Sequence, residues 1–196
     1  GLLQTNIADA ITITGGQSTK DLVTASYGAN AVENSGQFTM SGVETLTVTT
    51  TAASSGGVDV VDLINVTGLD TLNLVTTTTN ANGVTVSNLS TSTTVALGTS
   101  ASTTEFAGVT AKLDLADATG TSDALTVNLV DTNAGGATAT IQTDGIEALT
   151  LALANTAEDH LVVLSNTNAD NNATLTVTGT HTSADLTITT LADVFT

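Results

Sequence analysis

Gly42-Val43-Glu44-Thr45-Leu46-Thr47-Val48 returns as Gly68-Leu69-Asp70-Thr71-Leu72-Asn73-Leu74, and again as Gly145-Ile146-Glu147-Ala148-Leu149-Thr150-Leu151. Each copy reads glycine, aliphatic, acid, small residue, leucine, small residue, aliphatic. A looser copy, Asp123-Ala124-Leu125-Thr126-Val127, follows Gly120 with one residue inserted, and Leu175-Thr176-Val177 keeps only the final part. The leucines at 46, 72, 125, 149 and 175 are separated by 26, 53, 24 and 26 residues. A unit of about 25 residues accounts for them if Thr94-Val95-Ala96-Leu97 is a weak copy inside the double gap. Repetition at this period is the mark of a stacked array, because one such unit cannot bury its apolar face alone.

A second strand-like run precedes the first in most units, as in Phe38-Thr39-Met40, Val58-Asp59-Val60-Val61, Val84-Thr85-Val86, Leu113-Asp114-Leu115, Thr138-Ala139-Thr140-Ile141, Leu161-Val162-Val163 and Leu186-Thr187-Ile188. Within both runs apolar residues alternate with Thr, Asp or Asn, the two-residue period of a strand with one buried face. The expectation is an all-β chain, a β-solenoid resembling a parallel β-helix, of about seven two-strand coils. An antiparallel β-sandwich shows the same alternation and is the alternative.

Composition favours the stack. Hydrophobic residues make up 40% of the chain but aromatics only 2%, namely Tyr27, Phe38, Phe106 and Phe195. A sandwich usually fills its interlayer gap of roughly 10 Å with some large rings, whereas stacked coils set like aliphatic residues a strand spacing apart. Threonine, at 44 of 196 residues, adds a strand-forming background with little support for helices. Proline is absent, so turns fall to clusters such as Gly56-Gly57, Asn80-Ala81-Asn82-Gly83, Gly135-Gly136 and Asp170-Asn171-Asn172. The segments Thr49 to Gly57 and Thr76 to Gly83 read as loops projecting from one edge. Thr103 to Gly108 reads as a short helical turn or a bulged coil. No linker divides residues 1–196, so one elongated domain is expected, and a joint near residues 98–110 is the one place where the array could divide.

Nineteen acids face two lysines, Lys20 and Lys112, for a net charge of -17. Such a surface repels phosphate backbones and anionic membranes, which argues against nucleic-acid partners and polybasic membrane adhesion and favours cations as company. Cysteine is absent, so thiol and disulfide chemistry are out. No apolar run is long enough for a membrane helix. Gly1-Leu2-Leu3-Gln4 lacks the charged start and long apolar stretch of a signal peptide, so the sequence reads as a segment of a longer chain. Richness in Thr, Gly and Asn with almost no Lys points to an extracellular location.

Stacking turns the acid of each repeat into a row. Glu44 is expected over Asp70, and Asp123 over Glu147, at about 4.8 Å, with Thr93 and Ala173 in the equivalent places of uncharged coils. Carboxylates at that spacing repel unless hydrated or bridged, and calcium, which takes six to eight oxygens, is the usual bridge. Asp114 with Asp117, and Asp170 with Asn172, are further candidate cation ligands in turns. The plainer reading of all eight residues is a solvated acidic face. His160 and His181 lack any zinc-ligand spacing, and no phosphate-cradling glycine loop or nucleophile elbow occurs. Paired acids of the glycoside-hydrolase kind lack the aromatic and Arg platforms of sugar clefts. The reading is non-enzymatic.

The Gly-Val-Glu-Thr-Leu-Thr-Val unit, the run Asn65-Val66-Thr67-Gly68-Leu69-Asp70-Thr71-Leu72 and the Cys-free, Lys-poor background resemble the surface-layer proteins of Gram-negative bacteria, in their lattice-forming portion. The resemblance covers most of the chain and implies an exported protein that self-assembles into a sheet or filament at the cell surface, often with calcium. The glycine-rich nonapeptide calcium repeats common in such proteins are missing here. An adhesin or carbohydrate-binding repeat module, with cell-surface polysaccharide as partner, is the alternative expectation.

Overall fold

The computed structural model describes residues 2–4, 11–16, 18, 20–26, 38–50, 58–76, 83–99, 105–133, 136–154, 159–166, 173–179, 185–191 and 195. Among these there is no helix, and seventeen strands follow one another: β1 (Leu2–Gln4), β2 (Ile11–Thr14), β3 (Leu22–Ser26), β4 (Phe38–Ser41), β5 (Thr45–Thr50), β6 (Asp59–Asp62), β7 (Val66–Thr67), β8 (Thr71–Thr76), β9 (Val84–Leu89), β10 (Thr94–Leu97), β11 (Thr110–Leu115), β12 (Ala124–Leu129), β13 (Ala139–Asp144), β14 (Ala148–Leu153), β15 (His160–Asn166), β16 (Thr174–Thr178) and β17 (Leu186–Leu191).

They form three walls of a parallel stack. An eight-stranded wall runs β1-β3-β5-β8-β10-β12-β14-β16, a six-stranded wall runs β17-β15-β13-β11-β9-β6, and β2-β4-β7 make a third, three-stranded wall. The strand ladders are parallel throughout, as in β5 with β8 and β11 with β13, so the antiparallel sandwich is set aside. The fold is a β-solenoid of about five turns, in place of the seven two-strand coils expected. The third wall is a further difference: β2, β4 and β7 pair with one another, and the coil of β5, β6 and β7 carries a strand in each of the three walls.

The repeat now has a local explanation. Gly42, Gly68 and Gly145 have φ of +62°, +80° and +68°, a left-handed corner that side chains other than glycine adopt at a cost. The aliphatic residue after each corner (Val43, Leu69, Ile146) turns into the core, and the acid after it stays at least partly in water. The following strand then alternates, so that in β5 Leu46 and Val48 are buried while Thr45, Thr47 and Thr49 face out. Gly120 opens the looser copy differently: its N–H donates to Asp123 Oδ2 at 3.1 Å.

The core is a column of aliphatic side chains, and Phe106 is the largest fully buried side chain among the described residues. Leu46 lies against Leu72, and Leu72 against Val95. Val95 then meets Val127, 32 residues later, and not Leu125. Leu149 pairs with Leu125, so the last repeat leucines lie two residues along the strand from the Leu46–Leu72 column. All remain inward, because a two-residue offset preserves the face of a strand. The expected single leucine column is therefore two columns, joined at the β10–β12 rung where the coil is longest.

Register is unbroken along the eight-stranded wall, whereas the six-stranded wall carries irregularities near Leu113/Leu115 and Val162/Val163. Opposite the first of these, Asn88 has φ of +57°, a conformation Asn tolerates better than most residues. Glu105 forms an antiparallel bridge to Thr76, and no helical turn occurs at residues 105–108. Of the loops expected at Thr49 to Gly57 and Thr76 to Gly83, Thr49 and Thr50 belong to β5 and Thr76 to β8, while residues 51–57 and 77–82 lie outside the described residues.

Candidate functional site

The acids of the repeat stand just ahead of the strands of the eight-stranded wall, one per coil. The N–H groups of Thr45, Thr71 and Thr94 donate to the carbonyls of Asp21, Glu44 and Asp70 at 3.0, 2.9 and 2.9 Å. Those of Ala148 and Thr174 do the same to Asp123 and Glu147 at 3.0 and 2.7 Å. Glu44 and Asp70 thus occupy adjacent rungs, as do Asp123 and Glu147, and Thr93 and Ala173 fill the equivalent places without charge. Thr93 is buried, and its hydroxyl donates to the Leu69 carbonyl at 2.9 Å.

Sequence spacing does not show what the carboxylates hold. Glu44 Oε2 accepts the backbone N–H of Asp21 at 2.8 Å, and Glu147 Oε2 that of Asp123 at 2.7 Å. The aspartates in turn take a glycine N–H, Gly16 to Asp21 Oδ2 at 2.6 Å and Gly120 to Asp123 Oδ2 at 3.1 Å. The pairs Asp21–Glu44 and Asp123–Glu147 are therefore two-step clamps, from glycine to aspartate within one coil and from aspartate to glutamate of the next. Asp21 was missed from sequence, although Asp21-Leu22-Val23 precedes β3 just as Glu44-Thr45-Leu46 opens β5.

Other polar side chains act alike on neighbouring coils. Asn88 Nδ2 donates to Asp62 Oδ1 at 2.7 Å, Asn73 Nδ2 to Thr47 Oγ1 at 3.0 Å, and the Asp185 N–H to Asp159 Oδ1 at 2.8 Å. With the two glutamate bonds these make five stitches, each spanning 23 to 26 residues of chain, which is one coil.

The second candidate group divides. Asp114 lies in β11 directly opposite Asp144 of β13. Its Oδ2 accepts from Lys112 Nζ at 2.7 Å, while its Oδ1 is buried without a hydrogen-bond partner. Lys112, Asp114, Asp144 and Glu147 line one open groove of about 510 Å³, of which only Asp114 and Glu147 stand out in the sequence. Asp144 comes into it through register. Asp117 is a fully exposed turn residue whose Oδ1 accepts from the Thr119 hydroxyl at 2.6 Å and its backbone N–H at 3.1 Å. These bonds, the hydroxyl first, hold its carboxyl below the ordinary value of 3.8. Asp170 and Asn172, and His181, lie outside the described residues. His160 is buried, with Nδ1 at 3.1 Å from Thr132 Oγ1 inside the stack.

Calcium wants six to eight oxygens from several groups. Among the described residues no three of His, Cys, Asp or Glu converge as a metal-holding group. The clamps offer paired carboxylates, with one oxygen of each glutamate accepting a backbone N–H. What this arrangement supplies is cohesion between coils and a line of negative charge along one edge.

No protein-family model matches the chain, and no curated protein or solved structure is detectably similar to it.

Proposed function

We propose that this chain is a structural module of a bacterial surface layer, exported and self-assembling into a sheet or filament. The observation that carries the reading is the use of its polar side chains: among the described residues at least five bonds of this kind join one coil to the next, which suits a load-carrying stack. The glycine corners and aliphatic column serve the same end. A rigid array with repeated edges presents the same surface at every level, and this regularity suits lattice contacts.

The net charge of -17 opposes contact between copies. Divalent cations gathered by the acid rows lower that repulsion as a diffuse cloud, and they do so more effectively than sodium at equal concentration. Calcium enters the reading in this role.

Light scattering and electron microscopy across protein concentration, with and without millimolar calcium, test the proposal. The expected result is particle mass that grows with concentration, grows further with calcium and falls on adding chelator. A mass fixed at the single-chain value of 19.4 kDa under all these conditions overturns it. Glycan binding by that fixed monomer would establish the adhesin alternative.

A further inference from the structure

The strands of the eight-stranded wall contain no Asp, Glu, Lys or Arg in a chain with nineteen acids. We infer that the outer face of this wall is where two copies of the chain pack against each other. The inference rests on the self-assembly reading above and names the surface that serves it.

The face is built from one column and its neighbour. Thr45 partners Thr71, Thr71 partners Thr94, Thr126 partners Thr150 and Thr150 partners Thr176, with the in-register β10–β12 rung joining the two halves, its Val95 and Val127 turned inward to the core. Leu22, 59% exposed, heads the column opposite Thr45. The adjacent column includes the half-buried Asn73 and Asn128, with Ala96, buried within the chain, in register between them. Hydroxyl, methyl and amide groups thus repeat at the strand spacing of about 4.8 Å.

Three observations select a second copy as the occupant. Electrostatics comes first: the six-stranded wall carries Asp62, Asp114 and Asp144, so two copies meeting there bring carboxylates together, whereas two eight-stranded walls meet without any. The acid row borders this wall at its leading edge, which gives the arrangement of known interfaces, a core depleted in charge with a polar rim. Regularity comes second. Every ladder of this wall keeps its register, while the other long wall is broken twice, so only the neutral wall repeats evenly enough for self-matching. Area comes third. Seven strands from β3 to β16 span about 30 Å, and five residues of strand about 17 Å, so two such faces bury roughly 1,000 Å² in projection and more once pleating is counted. That reaches the lower bound for a specific protein interface, about 1,000 Å².

The test compares two double variants of equal charge. Thr94→Asp with Asn128→Asp places carboxylates on the neutral wall. Thr85→Asp with Gln142→Glu places them on the six-stranded wall. Circular dichroism and thermal melting establish that both fold, and Asn128→Asp alone, being isosteric, serves if Thr94→Asp disturbs the strand. Sedimentation equilibrium in moderate salt then reads association. The expected result is a wild-type dimer whose dissociation constant rises about tenfold or more in the first variant and within about twofold in the second, since unpaired charge costs most at an interface core. Equal weakening of both variants, or none in the first, overturns the neutral-wall interface while leaving self-assembly intact. A wild-type chain that stays monomeric overturns both. A monomer that instead binds an insoluble neutral polysaccharide, and loses that binding only in the first variant, overturns the second copy as occupant.

Discussion

Glu147 reaches across one coil to accept the backbone N–H of Asp123 at 2.7 Å, and Asp123 itself has already turned back to take the N–H of Gly120. Glu44 and Asp21 repeat the arrangement four rungs earlier in the eight-stranded wall, at 2.8 Å. An acid in the repeat is therefore a backbone clamp first. Replacing Glu147 with Ala leaves a partly buried N–H without its acceptor, and stability is expected to fall by about 1 kcal/mol. Glu147→Gln keeps an acceptor oxygen and recovers most of that loss. Urea denaturation of the three proteins checks this, and equal midpoints would remove the clamp from the account.

Asp117 gives the pH dependence its sign. The Thr119 hydroxyl and N–H hold its carboxyl below the ordinary value of 3.8 in the fold. A lowered folded value means stabilisation that is complete above the unfolded value and fades as pH falls through the folded one, so the effect is confined to strongly acid solution. Thr119→Val removes the larger contribution, and the Asp117 titration should move up toward the ordinary value. Carboxyl-carbon NMR across acid pH measures it; an unmoved midpoint would show that the hydroxyl bond does not form in solution.

Lys112 shares its strand with one acid and lies beside a strand that carries another. It pairs with Asp114, whose partner across the ladder is Asp144. Because the pair is partly exposed, Lys112→Ala is expected to cost only about 0.5–1 kcal/mol. Asp144→Asn made in that background should return part of the loss, since it removes a like charge directly opposite Asp114. A double-mutant cycle by chemical denaturation reads the coupling, and strict additivity would show that the two acids do not feel each other.

Much of this was legible in the residues. The alternation in Thr45 to Val48 and Leu72 to Leu74 reports strands with one buried face, and the scarcity of rings separates a stack from a sandwich. The repeat glycine marks a corner that needs positive φ, as at Gly68. Other features needed coordinates. The offset between Leu72 and Leu149 follows from one long coil between Val95 and Val127, and local pattern carries no record of it. The third wall escaped notice because β7 is two residues long, too short to show any period. The clamps were hidden for another reason: a carboxylate bound to the backbone of a neighbouring coil looks, in sequence, like one waiting for a cation. Asp144 joins the groove with Asp114 only because β11 and β13 are in register.

The β10–β12 rung joins the longest coil through just three residue pairs, Val95 with Val127, Ala96 with Asn128 and Leu97 with Leu129, where its neighbour β12–β14 has six. Each level of such a rod touches only the levels beside it, so tension along the axis passes through every rung in series and the thinnest one sets the breaking strength. This rung has the fewest pairs of any inside the eight-stranded wall between β3 and β16, so a layer woven from these rods would be weakest within each rod between Leu97 and Leu129, whatever the strength of its seams.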